Sequence, residues 1–218
     1  MKSVLISIQP KWCAFIAQGL KTIEIRKTAP KLVTPFKCYI YATSPKHKYS
    51  ISKGLYTYDD SLFLVNRMVQ IRDGWGIEYE DPNYKHLNRK VIGEFICDEI
   101  CKYGQAIFDE QEPFDTEEIS ELLQKSKLTY SELRKYVELK DFYTWHISEL
   151  IIYDEPKKLT EFITPTTCKS VVAKKMHCNT CCLSSDFCTK KPKRINKAPQ
   201  SWCYVEELKG ENNELSER

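Results

Sequence analysis

Glycine is scarce in this chain, with seven residues in 218. No GxGxxG, GxxxxGKS/T or GxSxG pattern occurs. Glycine-rich phosphate loops and the serine-hydrolase elbow therefore lose their usual signature. HExxH is absent too, and the histidines at 47, 86, 146 and 177 show no paired spacing. No apolar run approaches the roughly 20 residues that span a bilayer. The apolar core of the N-terminus is too short for a secretory signal. The expectation is a cytoplasmic protein with no membrane partner. Net charge is only +3 and by itself demands no polyanionic ligand.

Apolar residues make up 42% of the chain and charged residues 29%, an ordinary globular composition. The length suits one large domain or two small ones, with a core that needs no disulfides. Val4–Ile8 reads as a buried strand, and Pro10 suits the first turn of a helix because its missing N–H has no partner there. Trp12, Phe15 and Ile16 form one helical stripe, which Gly19 ends as a C′ residue. Thr22–Arg26 follows as a strand with Ile23 and Ile25 on one face and Glu24 and Arg26 on the other.

Further strands are expected at 37–43, 91–97, 142–152 (broken at Ser148-Glu149 and ended by Pro156) and 202–206. Helices are expected at 115–125 and 129–139, with a short one near 158–162. Residues 44–88 read as a long, partly helical connection with a turn at Gly74-Trp75-Gly76. Strands outnumber helices and do not alternate with them, which argues against a doubly wound sheet. One domain over 1–208 is expected, with insertions near 44–90 and 105–140, a Cys-rich basic loop at 168–197 and a disordered tail at 209–218.

Two features carry chemistry. The first is Lys21, Glu24 and Arg26. On a half-exposed strand Glu24 and Arg26 would form a surface ion pair of under about 1 kcal/mol. At a cleft mouth, a carboxylate held by Arg could instead accept from a base amino group, with Lys21 meeting phosphate or acting as a base. The second is Cys168, Cys178, Cys181 and Cys188, part of ten cysteines in the chain. Four thiolates including a CxxC pair suit structural Zn²⁺, with Cys182 an equal substitute for Cys181. The same set would take an iron–sulfur cluster, and free thiols are the plain alternative. Between Cys168 and Lys197 lie eight Lys/Arg and one acid, including Lys190, Lys191, Lys193 and Arg194. Such a run is either a solvated face or a phosphate-contacting surface. Trp12, Tyr39, Tyr41, Trp75 and Trp202 could stack bases or line a core.

The stretch from Ser7 to Arg26 resembles the N-terminal signature of ASCH domains, whose GxKxxExR motif is matched by Gly19, Lys21, Glu24 and Arg26. The segments YTWHISELIIYDEPKKLTEF and APQSWCYVEEL resemble a bacterial or phage subgroup of that family. The resemblance implies an α+β fold, a PUA-like mixed or antiparallel β-barrel with helical insertions. It also implies a cleft lined by the motif residues that binds RNA or a nucleotide. Some related proteins hydrolyse acetylated cytidine, and ribonuclease activity occurs in the family. In the amidohydrolase type a motif Lys acts with a Thr three residues later and a Glu from a later strand. Lys21 matches that Lys, Glu24 stands at the Thr position, and Glu94 is the candidate for the later Glu.

Overall fold

The computed structural model describes residues 2–43, 67–71, 74–78, 89–104, 116–165 and 192–208. Its elements are β1 (Lys2–Ile8), α1 (Pro10–Ala17), β2 (Ile23–Arg26), β3 (Phe36–Ala42), β4 (Arg67–Ile71), β5 (Gly74–Glu78), β6 (Lys90–Cys97) and β7 (Ile100–Tyr103). They continue with α2 (Thr116–Ser126), α3 (Tyr130–Val137), β8 (Phe142–His146), β9 (Ser148–Lys158), a 3₁₀ turn at Leu159–Glu161 and β10 (Trp202–Glu206).

Five strands form one sheet in the order β10-β1-β3-β6-β9, and three form a second in the order β2-β8-β7. β1 and β3 run parallel; the other pairs of the large sheet are antiparallel. The mixed α+β class therefore holds. A closed barrel does not: among the described residues no ladder joins the two sheets. The chain instead turns a corner twice between them. One corner lies at Asp98 and Glu99, between β6 and β7. The other lies at Ile147, between β8 and β9, and Glu149 beyond it takes a positive φ of 46°. The second corner is held by Ile147 N–H donating to Thr22 O (2.9 Å) and His146 N–H donating to Glu99 O (2.9 Å).

Two other expectations are corrected. The Gly74-Trp75-Gly76 stretch opens β5, which pairs with β4 from Ile71 opposite Gly74, so the glycines are strand residues. Pro156 does not end β9, which continues to Lys158. β9 is an edge strand, and its register against β6 shifts between Val91 and Gly93, so Pro156 sits in an irregular stretch where its missing donor costs little. Opposite that stretch Gly93 is required, because a Cβ there would strike the Ile151 carbonyl oxygen.

β1 is buried on both faces, which explains its continuous apolar run. Val4, Ile6 and Ile8 meet α1, Cys38, Ile40, Phe95 and Trp145 in the central core. Leu5 faces the opposite side with Tyr39, Tyr41, Val91, Phe162, Ile195 and Val205. A third cluster joins Ile23 and Ile25 of β2 to Leu122, Leu133, Val137 and Phe142. The two helices of the polar 105–140 stretch thus cover the second sheet with an apolar face of their own. Among the described residues no helix is long and apolar enough to cross a membrane.

Candidate functional site

Local sequence sets the position of the motif. Leu20 N–H donates to Phe15 O (2.9 Å) and Gly19 N–H to Ile16 O (2.8 Å), the paired bonds that cap a helix around a left-handed residue. Gly19 takes φ +70° there, and a Cβ on it would meet nothing within 4 Å. Its requirement is backbone conformation, not space. The chain leaves this turn directly into Lys21 and β2.

All four residues of β2 are buried. The expected half-exposed strand with a surface ion pair is therefore not what forms: α2 and α3 pack on the isoleucine face, and the charged side meets Ser7 of β1, Trp12 of α1, Ser126 of α2 and Tyr136 of α3. Glu24 sits between two cations, with Lys21 Nζ 3.3 Å from Oε2 and Arg26 Nη2 3.1 Å from Oε1. Lys21 is 3% exposed, so its ammonium is not available to a solvent-side phosphate. Its Nζ donates to Ser126 O at the end of α2 (2.8 Å) and lies 5.5 Å from the centre of the Trp12 ring. Burial pushes the Lys21 amine below the ordinary lysine range, and the adjacent Glu24 carboxylate offsets part of that.

Arg26 ties three elements together. Nη2 donates to Ser7 O on β1 (2.6 Å), and Nη1 donates to Ser201 Oγ before β10 (3.4 Å). Ser201 O in turn accepts from Ser7 N–H (2.9 Å). Two atoms of the cluster lack a hydrogen-bond partner although buried: Glu24 Oε2, whose approach to Lys21 is an ion pair without hydrogen-bond alignment, and Arg26 Nε. Around the cluster, burial pushes the Tyr136 phenol up, with Arg26 opposing. The Cys13 thiol is pushed far up by burial, and Glu24 adds to it. Cys13 is thus an inert core thiol, donating weakly to Ile8 O (3.5 Å).

Trp12 stays beside the cluster, and the other candidates separate from it. Trp12 packs against the central core, with Lys11 Nζ 4.7 Å from its ring centre. Tyr39 and Tyr41 are core residues. Trp202 is partly buried and donates from Nε1 to Thr28 Oγ1 (3.1 Å). Glu94 does not join Lys21 and Glu24. It pairs in register with Tyr39 on the other face of the large sheet, where Oε1 accepts from Lys37 Nζ (2.8 Å) and Oε2 from Tyr153 OH (2.5 Å). Lys193 and Arg194 are exposed, and Ile195 beside them belongs to the core on that same face. The proposed metal ligands Cys168, Cys178, Cys181, Cys182 and Cys188, with Lys190 and Lys191, lie outside the described residues.

Ser126, Ser7 and Ser201 were not legible as site residues, since two of them contribute carbonyl groups that any residue supplies. His146 ends β8 with its side chain partly exposed. Its Nδ1 lies 2.7 Å from Asp98 Oδ1, and this contact holds the Asp98 carboxyl below its usual range. A pocket of about 110 Å³ beside it is lined by Glu99, Cys101, Glu118 and Glu121 among others. No group of three or more His, Cys, Asp or Glu able to hold a metal forms among the described residues.

No protein-family model matches the chain, and no curated protein matches it. Solved structures do. A structure of ASCH from Zymomonas mobilis is 15% identical, covering 94% of this chain and 88% of that one at a TM-score of 0.49. A mutant of the Zymomonas mobilis protein is 16% identical, covering 73% and 77% at 0.44. The N-terminal domain of Staphylothermus marinus McrB is 11% identical, covering 73% and 77% at 0.36. Over most of its length, at low identity, the chain is similar to solved ASCH structures.

Proposed function

We propose that the protein recognises RNA or a modified nucleotide at the Lys21–Glu24–Arg26 cluster. The observation that supports this reading is Arg26 Nε, a buried donor with no hydrogen-bond partner, on the same face as the buried acceptor Glu24 Oε2, whose contact with Lys21 is an ion pair at 3.3 Å. A buried donor left unpaired costs on the order of 1–3 kcal/mol, and a ligand that accepts from Arg26 Nε recovers that. A base edge offers that complement: an exocyclic amino group for Glu24 and a ring nitrogen or carbonyl for Arg26. Lys21 holds the carboxylate in place through the 3.3 Å ion pair. Trp12 and Tyr136, both partly exposed, flank the cluster and are the side chains that yield to a base. The test is a titration of isotope-labelled protein with single-stranded RNA and with cytidine, following backbone amides by NMR. Shifts centred on Gly19–Arg26, with RNA affinity lowered about tenfold or more in folded Glu24→Gln, are expected. Unchanged resonances in that stretch overturn the reading.

One observation favours a second reading, a hydrolase acting on an acylated nucleoside such as acetylated cytidine, or on RNA. Burial lowers the Lys21 pKa, which raises the share of neutral amine able to take a proton. Lys21 and Glu24 would work without Glu94. Acetate release from acetylated cytidine, lost in Lys21→Met, supports it; no turnover across pH and metal conditions sinks it.

A further inference from the structure

The face of the large sheet opposite the charged cluster carries a cleft of about 670 Å³, within the size range of small-molecule sites. It is lined by three carboxylates, Glu94, Glu161 and Glu207, and by three cations, Lys37, Lys157 and Arg194. The formal charges cancel, but their engagement does not. Glu94 is held on both oxygens, by Lys37 Nζ and Tyr153 OH. Glu207 takes the same ammonium at 3.5 Å. Glu161 accepts from Lys158 N–H at 2.6 Å. Each carboxylate thus has at least one partner within the protein.

Lys157 and Arg194 have no carboxylate partner among the described residues. Lys157 Nζ stands 5.2 Å from the centre of the Tyr153 ring, on β9. Arg194 comes from a different element, an isolated bridge to Ile163. That bridge is fixed on both sides: Thr164 N–H donates to Lys193 O (2.8 Å) and Ile195 N–H donates to Phe162 O (2.9 Å). Buried Ile195 anchors it further. The guanidinium is therefore carried on a rigid segment at the cleft wall. A planar guanidinium takes a phosphate through two parallel N–H bonds, and an ammonium adds a point charge.

We propose that this cleft is a second ligand site, independent of the Lys21–Glu24–Arg26 cluster, for a small organic phosphomonoester. Arg194 and Lys157 bind its phosphate, and the remaining volume takes the organic group against Tyr153.

The probes are adenosine 5′-monophosphate, inorganic phosphate and a single-stranded RNA without terminal phosphates. Each is titrated calorimetrically into the full chain at two salt concentrations. Adenosine monophosphate is expected to bind more tightly than phosphate, with amide shifts at Lys157 and Arg194. Arg194→Ala and Lys157→Ala each weaken it by about tenfold or more, the loss of one charge-assisted contact. Lys135→Ala, an exposed lysine away from the cleft, does not. Four outcomes overturn the proposal: no binding of either phosphate; equal affinity for both, which leaves an inorganic anion site; binding only of the RNA, which assigns the cations to a phosphodiester backbone; or shifts confined to Gly19–Arg26. Failure of the RNA titration above leaves this cleft untouched, because the two sites lie on different faces of the sheet.

Discussion

Lys21 Nζ and the carbonyl oxygen of Ser126 meet at 2.8 Å across 105 residues of chain. One belongs to the motif that follows α1, the other to the last turn of α2. Thr22 N–H and Lys125 O add a second bond at the same junction (3.0 Å), and Lys11 and Glu132 a third contact (3.3 Å). The helical segment is therefore a wall of the charged site and sets how deeply Lys21 and Glu24 are buried.

Burial makes Glu24 a stability determinant as well as a binding group. Glu24→Ala leaves Lys21 and Arg26 uncompensated in a low-dielectric site and is expected to destabilise the protein by about 3–5 kcal/mol. Urea unfolding measures this. A loss under about 1 kcal/mol would mean that water reaches the cluster freely.

Two glycines fail for different reasons. Gly19→Ala must adopt φ +70° in open space and costs about 1 kcal/mol. Gly93→Ala must move the β9 backbone and costs about 1–3 kcal/mol or more. Thermal unfolding of both should rank Gly93→Ala as the worse; the reverse order would refute the close β6–β9 approach.

Thr129 caps α3: its Oγ1 accepts from Glu132 N–H (3.2 Å), and Glu132 Oε2 accepts from Thr129 N–H (2.9 Å). Thr129→Ala should cost about 1 kcal/mol. It should also loosen Glu132 from Lys11, so amide exchange in 130–137 rises. Unchanged exchange there would show that packing of Leu133 and Val137 alone holds the helix.

Burial pushes the Tyr153 phenol above its ordinary 10.0, and the hydrogen bond to Glu94 pushes it the same way. In the unfolded chain the phenol ionises near that ordinary value, while in the folded chain it keeps its proton. The unfolded state then binds fewer protons, so this contribution is present below pH 10 and is lost as pH rises beyond it. Tyr153→Phe should flatten the decline in stability above pH 10. An unchanged alkaline slope would contradict the Tyr153–Glu94 contact.

The thiolate set Cys168, Cys178, Cys181 and Cys188 predicts about one zinc per chain after purification without added metal. Elemental analysis reads this directly. Zinc and iron both near zero would reject the site, and iron with sulfide would replace zinc by a cluster.

Strand–helix–strand order from Val4 to Arg26 was legible because each step rests on neighbours: an apolar run, a proline at a helix start, a glycine with positive φ and an alternating strand. The same local logic found α2, α3 and β6. It failed at Gly74–Gly76, where glycines within a hairpin strand look like a turn, and at Pro156, where an edge position tolerates a residue that a central strand would reject.

Sequence by itself determined that Glu24 and Arg26 stand close together, since a period of two puts them on one face of the strand; at the helix–strand junction it left the direction of Lys21 open. It could not determine that they are buried. Parity assigns Glu24 and Arg26 to one face, but burial depends on what covers that face, here α1 and β1 from one side and residues more than 100 positions away from the other. For the same reason only the tertiary structure decided that Glu94 belongs with Lys37 and Tyr153 instead of Lys21. A strand carries alternate residues to opposite faces of its sheet, and which face holds which site is set by the packing of distant chain segments.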